Sequence, residues 1–379
     1  MVQTDICKPG DLSETDIAVW RALANGPFAS PMLQPELAAM VADVRPDVRV
    51  AVFRKGQARP GFLAYHKRPG RLARSLAAPF SDVQALVSDD EFALTGEEAL
   101  KKAGIRAFQF DALLDPFNLF AAAPAEIHEA HVIAPGKDVA AFLEQQRAAH
   151  AKRFKNHRRL ARQMERECGP VSLVAPDTDT EALTQLLGWK SAQYRDSGKH
   201  DVLAADWVQA LMRRIHETQH GPVRGLMVSL RVDDRLVAGL FGVRSETVFN
   251  PWIAAYDPAF APWSPGQQVL HELIATLPAL GLERCDIGAD HDHYKKYYAA
   301  EAVPVKSALI AAPGRDARIT RVRSALWTAA EMSPAGRLTE KIHRRFNQIS
   351  AVELQTGSRL TGLFRAVTHR PDPTARQAP

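Results

Sequence analysis

The feature of this sequence that most constrains its fold is a change of hydrophobic period in the second half of the chain. Between residues 139 and 219 the apolar residues follow helical spacing, and from Arg224 onward they alternate, as in strands with one buried face. We predict helices at 139–167, 180–197 and 205–219, and strands at 224–232, 236–243 and 246–256. Pro251 falls within the last of these strands and predicts a bulge or an edge there, because proline donates no ladder hydrogen bond.

A glycine-containing helix start follows the third strand. Ser264 is a favourable N-cap, and Pro265 suits the first helical position. The first N–H groups of a helix carry partial positive charge and bind phosphate oxygens, and Gly266 would let a ligand approach the backbone closely. The segment predicts a pyrophosphate-binding turn, although most capped helix starts bind nothing. A strand at 283–288, a short helix at 294–300 and a strand at 303–312 complete the region.

The order of these elements is that of the GNAT acyltransferase fold. Residues 20–312 resemble the acetyltransferase family labelled CelD/BcsL, which is linked to bacterial exopolysaccharide synthesis and is similar to the FemAB aminoacyl transferases. The segments that carry the resemblance are AKRFKNHRRLARQMERECGPVSL, LLGWKSAQYRDSGKHDVL, YDPAFAPWSPGQQVLHELI and CDIGADHDHYKKYYAAEAVPV, with AAPFSDVQALV in the first region.

The resemblance implies an α/β (α+β) fold with two GNAT-like domains in tandem, each a mixed, mostly antiparallel sheet flanked by helices. Boundaries are expected at IAPGKD near residue 137 and at APGRD near residue 313. The expected domains are an N-terminal GNAT-like domain at 1–137, for which a degenerate site is one alternative, and an acyltransferase domain at 138–312. A basic, partly helical tail with a disordered end is expected at 313–379.

The resemblance also implies acetyl-CoA as the acyl donor, attacked directly by an amine. Backbone groups of Ile253–Tyr256 would face the thioester. The expected donor-binding residues are Tyr256, Ser264, Gly266, Gln267, Gln268 and Val269. The usual acetyltransferase turn has a second glycine where this sequence has Gln268.

Direct attack requires a proton acceptor for the amine, donors for the oxyanion and an acid for the departing thiolate. Tyr294 and Lys295 match the family's Tyr-Lys pair, and we predict them as the thiolate acid or as substrate contacts. Asp290 or His293 is the predicted proton acceptor. The structural alternative is a packed Tyr294 and a solvated Lys295.

Five further residues match positions of the family that would contact the acceptor. They are Lys190, Gln193, Tyr194, Asp82 and Asp286. The expected acceptor is a small molecule or saccharide, such as an amino sugar or another exopolysaccharide precursor.

Charge and cysteine content exclude several other classes. The net charge is +5, but residues 313–379 hold twelve Lys/Arg and five Asp/Glu, which leaves −2 for the rest of the chain and argues against DNA binding. Three cysteines without a CxxC pair predict neither a disulfide framework nor a zinc site. His271-Glu272 begins like HExxH, but Ala275 stands where the second histidine is needed, so no metal site is predicted. The polar start and the lack of a long apolar run predict a cytoplasmic protein.

Two alternatives remain at this stage. The basic helix from Arg147 to Arg166 could bind tRNA, which would make the protein a FemAB-like aminoacyl-tRNA-dependent transferase. The tail at 313–379 could bind an anionic regulator such as a cyclic dinucleotide, or an anionic membrane surface, which would make the protein membrane-peripheral.

Overall fold

The computed structural model describes residues 1–81, 83–121, 125–288, 297–315, 318, 349–350 and 352–353. The helices within these residues are α1 Glu14–Ala24, α2 Pro35–Val44, α3 Gly96–Lys102, α4 Val139–Ala149, α5 Ala151–Cys168, α6 Thr180–Asp196, α7 Asp206–Glu217 and α8 Pro265–Thr276. The strands are β1 Gln3–Cys7, β2 Val48–Arg54, β3 Gly61–Arg68, β4 Leu72–Ser75, β5 Ala107–Leu113, β6 Glu126–Ile133, β7 Val171–Val174, β8 Arg224–Val232, β9 Arg235–Arg244, β10 Val248–Tyr256, β11 Arg284–Gly288 and β12 Glu301–Ala311.

Internal contacts divide the chain into two compact units. The first comprises Met1–His128, Gly198–Val208 and the described residues from Pro304 on, and the second comprises Glu129–Ser197 and Gln209–Val303. Each unit contains antiparallel strands, then one parallel pair, then a further antiparallel strand. The α/β class with mixed, mostly antiparallel sheets flanked by helices is therefore confirmed.

In the first unit the strands lie in the order β1-β2-β3-β4-β5-β12. β2 and β3 form an antiparallel hairpin, in which Val48 lies opposite His66. β4 and β5 form the parallel pair, which runs from Leu72 to Arg74 on β4. The core on one face is aromatic, and Phe108 and Phe110 stack with ring centroids 4.0 Å apart.

Beyond that parallel pair, the edge of β5 is occupied by the chain itself. Gln84 forms a parallel bridge with Leu113, its N–H donates to the C=O of Ala112 (2.9 Å), and the N–H of Leu114 donates to its C=O (2.7 Å). Its side-chain Oε1 accepts from the N–H of Asp111 (3.1 Å). The segment VQALV thus forms isolated bridges, and this part of the edge of β5 is occupied.

The short helix α3 of the first unit also has a covered N-terminus. The N–H of Gly96 donates to the C=O of Leu119 (2.7 Å), and a Cβ at Gly96 would collide with the ring of Phe120. Thr95 and Glu98 form a capping box, in which the side chain of each residue accepts a hydrogen bond from the N–H of the other. The N–H groups of Thr95, Gly96 and Glu98 are thus already paired within the chain.

In the second unit the strands lie in the order β6-β11-β10-β9-β8-β7. Alternate residues of these strands pack with α8 in one core, to which Cys285 and Ile287 of β11 belong. The opposite face carries α6, since a Cβ at Gly239 would lie 3.1 Å from a methyl of Leu186. Asp286 alternates with Cys285 and Ile287, so it faces the same side of the sheet as α6.

The helix predicted at 139–167 is two helices in the structure. α4 ends at Ala149 and α5 begins at Ala151, because His150 leaves the helical region at φ −128° and ψ 43°. Gly169 ends α5 at φ 117°, as the Gly-Pro sequence there predicts. Both helices contact α8.

A short part of the predicted tail is packed within the first unit. Ile349 and Val352 are fully buried. Arg68 donates to the C=O of Ser350 (3.0 Å), and Trp207 donates to the C=O of Val352 (3.2 Å). Most of the tail lies outside the described residues, as do five predicted site residues: Asp82, Asp290, His293, Tyr294 and Lys295. None of the described helices is both long and apolar enough to cross a bilayer.

Candidate active site

The second unit contains a gap between two neighbouring parallel strands. β10 and β11 pair only at Val248–Arg284 and Phe249–Cys285, although β10 continues to Tyr256 and β11 to Gly288. Within the described residues no further pair joins them. Ala254 is solvent-exposed although it lies inside β10, which indicates an open groove along this part of the strand.

A bulge in β10 accompanies the gap. The register against β9 shifts between Pro251 and Ile253, which confirms the irregularity predicted from the proline. Gly242 of β9 lies opposite, and a Cβ there would collide with the C=O of Asn250. A glycine is therefore needed at position 242 for the bulged strand to approach.

The backbone of Ala254 presents polar groups to the gap. Its C=O accepts a hydrogen bond from Nζ of Lys190 (3.2 Å), so it points away from β9. In an extended strand the N–H of a residue points to the same side as its C=O. The N–H of Ala254 is thus directed into the gap, within the segment Ile253–Tyr256 that sequence analysis selected.

The helix start of α8 follows β10 after a short 3-10 helix, Pro258–Trp263. Ser264 occupies the N-cap position, but at φ 53° and ψ 53° its side chain accepts no hydrogen bond from the helix, so the predicted side-chain cap is wrong. Its C=O accepts from the N–H groups of Gln267 (3.1 Å) and Gln268 (3.4 Å). Among the described residues the N–H of Gly266 has no such partner. A Cβ at Gly266 would meet only the ring of Tyr256, at 3.5 Å.

Two predicted donor-binding side chains face inward. The amide of Gln268 donates to the C=O of Trp263 (2.8 Å), and Val269 is fully buried in the core beside α8. Their side chains therefore fix the turn, and only their backbone could contact a ligand. Tyr256 and Gln267 are half-buried and closer to the surface.

Asp286 is the buried titratable group beside the gap. Its side chain is 7% exposed, and burial raises its pKa from 3.8 to about 6. Arg284 forms an ion pair with it (Nε–Oδ1 3.2 Å), but this attraction is smaller than the effect of burial. A carboxyl group with a pKa close to neutral can both accept and release a proton at physiological pH. Asp286 is among the predicted acceptor contacts, but no local pattern in the sequence indicates this pKa shift.

The three predicted acceptor residues of α6 differ in their surroundings. Lys190 lies at the gap, and its ammonium is 5.2 Å from the ring centroid of Tyr194. Gln193 is exposed. Lys190 and Tyr194 are thus adjacent on the face of the sheet that also carries Asp286.

A buried cluster of aromatic rings packs between α5 and α8. The rings of His157 on α5 and His271 on α8 lie 4.8 Å apart. The hydroxyl of Tyr298 lies 3.3 Å from Nδ1 of His271. Burial, with His271 as the next cause, lowers the pKa of His157 to about 4.

The comparisons with known proteins place a family on this part of the chain. Residues 151–296 match the family model described as an acetyltransferase (GNAT) domain. No curated protein matches the sequence. FemX has a similar structure, with a TM-score of 0.50 at 10% identity over 80% of this chain and 95% of FemX.

Two further solved structures are similar. One is the C-terminal domain (DUF2156) of a protein described as a lysylphosphatidylglycerol synthetase from Agrobacterium fabrum, with a TM-score of 0.49 at 14% identity over 82% of this chain and 96% of that one. The other is a tandem GNAT protein from the clavulanic acid biosynthesis pathway, with a TM-score of 0.46 at 12% identity over 83% of this chain and 99% of that one. On the match of residues 151–296 to a GNAT acetyltransferase domain, the protein is an acyltransferase.

Proposed function

We propose that the protein is an acyl-CoA-dependent N-acyltransferase that transfers an acetyl group to the amine of an amino sugar or exopolysaccharide precursor. The observation that carries the proposal is the gap between β10 and β11, which has a backbone N–H directed into it and a buried carboxyl group of raised pKa beside it. We assign the activity to the domain expected at 138–312.

The residues around the gap fit an acyl-CoA. The N–H of Gly266 and the positive end of α8 suit a pyrophosphate, and the space over Gly266 is open as far as the ring of Tyr256. The parted strands leave room for an extended arm beside Ala254. When bound there, acetyl-CoA would supply a thioester carbonyl that an amine can attack.

The chain's own groups would then serve three needs of the reaction. The N–H of Ala254 is a donor for the oxygen of the attacked carbonyl. Asp286, ionised above about pH 6, accepts the proton that the amine loses. Tyr294 and Lys295 remain our candidates for protonating the thiolate, with Asp290 or His293 as the alternative proton acceptor.

The acceptor class rests on the resemblance to the CelD/BcsL family and on two side chains at the gap. Lys190 and Tyr194 offer an ammonium and a phenol next to the exposed strand, and both can hydrogen-bond the hydroxyl groups of a sugar. Asp82 and Gln193 are proposed to extend this contact.

Acetyl-CoA binding by calorimetry tests the proposal. The wild-type protein should bind with a micromolar Kd, and Gly266→Trp, which fills the space over the turn, should abolish binding. Gly10→Trp is the matched control, because no atom lies within 4 Å of a Cβ at Gly10. Binding should then be followed by release of free thiol in the presence of amino sugars. A wild-type protein that binds no acetyl-CoA would overturn the proposal.

A second candidate function has a specific observation in its favour. One exposed face of α5 carries the cations Lys152, Lys155, Arg158, Arg159 and Arg162. In the described part of the chain, none of these five forms an ion pair. The same helix contacts the turn before α8, since Glu167 Oε2 accepts from Nε1 of Trp263 (3.3 Å). A polyanionic donor such as aminoacyl-tRNA could therefore lie along α5 with its reactive end at the gap.

The salt dependence of tRNA binding distinguishes the two donors. If α5 binds tRNA, the logarithm of the binding constant should fall with the logarithm of salt concentration with a slope set by the number of neutralised phosphates. Replacing Lys155, Arg159 and Arg162 together by serine should reduce that slope by about two to three. Replacing Lys101 and Lys102 of α3 is the control. An unchanged slope in the triple variant would exclude α5 as the RNA-binding surface.

A further inference from the structure

We propose that Asn250 and Pro251 form a device that stops the β10–β11 ladder and holds the gap open, with Asn250 as a positioning residue for Asp286. The inference rests on the proposed function, since it explains how the donor gap is maintained. It concerns residues that neither the sequence analysis nor the family resemblance assigned to the site.

The direction of the backbone groups can be followed from the start of the strand pair. The C=O of Thr247 accepts from the N–H of Arg284 (3.2 Å), whereas the C=O of Val248 accepts from the N–H of Ser245 in the connection to β9. Because successive residues of a strand point to opposite sides, Phe249 and Pro251 direct their backbone groups toward β11.

The next ladder bond requires a donor at position 251. With Phe249 opposite Cys285, a regular parallel ladder would bring the N–H of residue 251 to the C=O of Asp286. Residue 251 is proline, which has no N–H. The carbonyl of Asp286 would be left without its backbone partner at this point.

The side chain of Asn250 supplies the missing donor. Its Nδ2 donates to the C=O of Asp286 (3.1 Å), and its Oδ1 accepts from Nε1 of Trp252 (3.0 Å). Asn250 is 0% exposed, so both ends of the amide are used inside the protein and its orientation is fixed. A side chain that reaches across to β11 satisfies the carbonyl without continuing the ladder.

Two consequences follow for the site. The backbone of β11 is anchored at Asp286 itself, which fixes the position from which its carboxyl group projects. β10 is free to bulge at the following residue, so the N–H of Ala254 can face the gap instead of a neighbouring strand. The strand pair therefore opens at a defined residue.

Two variants separate this role from general stability. Pro251→Ala restores the backbone donor, and we expect it to extend the ladder by one bond, to leave the unfolding temperature unchanged or raised, and to weaken acetyl-CoA binding about tenfold. Asn250→Leu keeps the size but removes the donor, and it should raise the acetyl-CoA Kd by a similar factor and shift the acid limb of kcat/KM. Pro262→Ala, at an exposed proline before α8, is the control and should bind as the wild type does.

Hydrogen exchange of the backbone amide at position 251 tests this inference independently of the proposed function. The new amide at position 251 in Pro251→Ala should be protected, because it would donate to the C=O of Asp286. A protected amide with no acetyl-CoA binding by the wild type would refute the proposed function and leave the device in place. An unprotected amide, or Pro251→Ala binding acetyl-CoA within about twofold of the wild type, would refute the device.

Discussion

Replacing Asp286 by asparagine should stabilise the protein while removing its activity. The pKa of Asp286 is raised from 3.8 to about 6 by burial, so the folded state holds this proton more tightly than the unfolded state does. Roughly two pKa units at about 1.4 kcal/mol each correspond to at most about 3 kcal/mol, which is the cost of ionising this buried carboxyl group in the folded protein.

Because the pKa of Asp286 is raised, the stability of the wild type and that of Asp286→Asn differ only at higher pH. Below about pH 4 the carboxyl group is neutral in both states, and the wild type and Asp286→Asn should unfold alike. As the pH rises through about 6 the wild type loses stability and the variant does not. At about pH 8 the variant should therefore melt higher, by about 6–12 °C for the full effect in a unit of this size.

Thermal unfolding in a pH series measures the difference in melting temperature. Asp16→Asn is the control, and its effect on stability should be opposite in sign. A hydrogen bond from Arg54 lowers the pKa of Asp16, so asparagine there should destabilise the protein at neutral pH. Over the same range kcat/KM of Asp286→Asn should fall by about 10²–10⁴, if Asp286 is the proton acceptor. A variant that is less stable than the wild type at about pH 8, or that keeps full activity, would refute the reasoning.

Three further predictions concern the support of the site. Because the pKa of His157 is lowered to about 4, the unfolding free energy should fall by up to about 3 kcal/mol between pH 6.5 and 4, and His157→Phe should flatten that dependence in a denaturant series. Lys190→Met should raise the KM for the acceptor and leave the calorimetric Kd of acetyl-CoA unchanged, and a raised donor Kd would argue against an acceptor role. Gly242→Ala should destabilise the folded protein by about 2 kcal/mol or more, because its Cβ collides with the C=O of Asn250. Gly188→Ala is the control: the space around this residue of α6 is open, so the change should be neutral or should stabilise the protein by up to about 1 kcal/mol.

Local sequence patterns predicted the elements of the second unit well. The hairpin of β8 and β9, the irregularity at Pro251 and the first turn of α8 all depend on the spacing of apolar residues, on proline and on turn residues within a few positions. The break at His150 was missed because no proline or glycine marks it. α4 and α5 on either side of it both contact α8, which is a tertiary feature that local patterns do not show.

The chemistry of the site depended on contacts between distant segments. Nothing in the sequence around Asp286 shows that burial raises its pKa. The side-chain amide of Asn250 replaces the N–H that Pro251 lacks, and this becomes apparent only when β10 and β11 are aligned. Ser264 was expected to cap α8 because its residue type favours that position, but its left-handed backbone turns the side chain away. Residue type alone does not determine the dihedral angles of Ser264, which lies between the 3-10 helix Pro258–Trp263 and α8.

The closed edge of β5 in the first unit has a consequence for stoichiometry. Gln84 occupies the position beside β5 that is vacant beside β11, and Phe120 covers the start of α3. Among the described residues, these positions of the first unit are therefore already occupied, and we expect titration to end at one donor per chain. If the first unit binds no donor, its surface could differ from one acceptor to another while the second unit keeps its donor site.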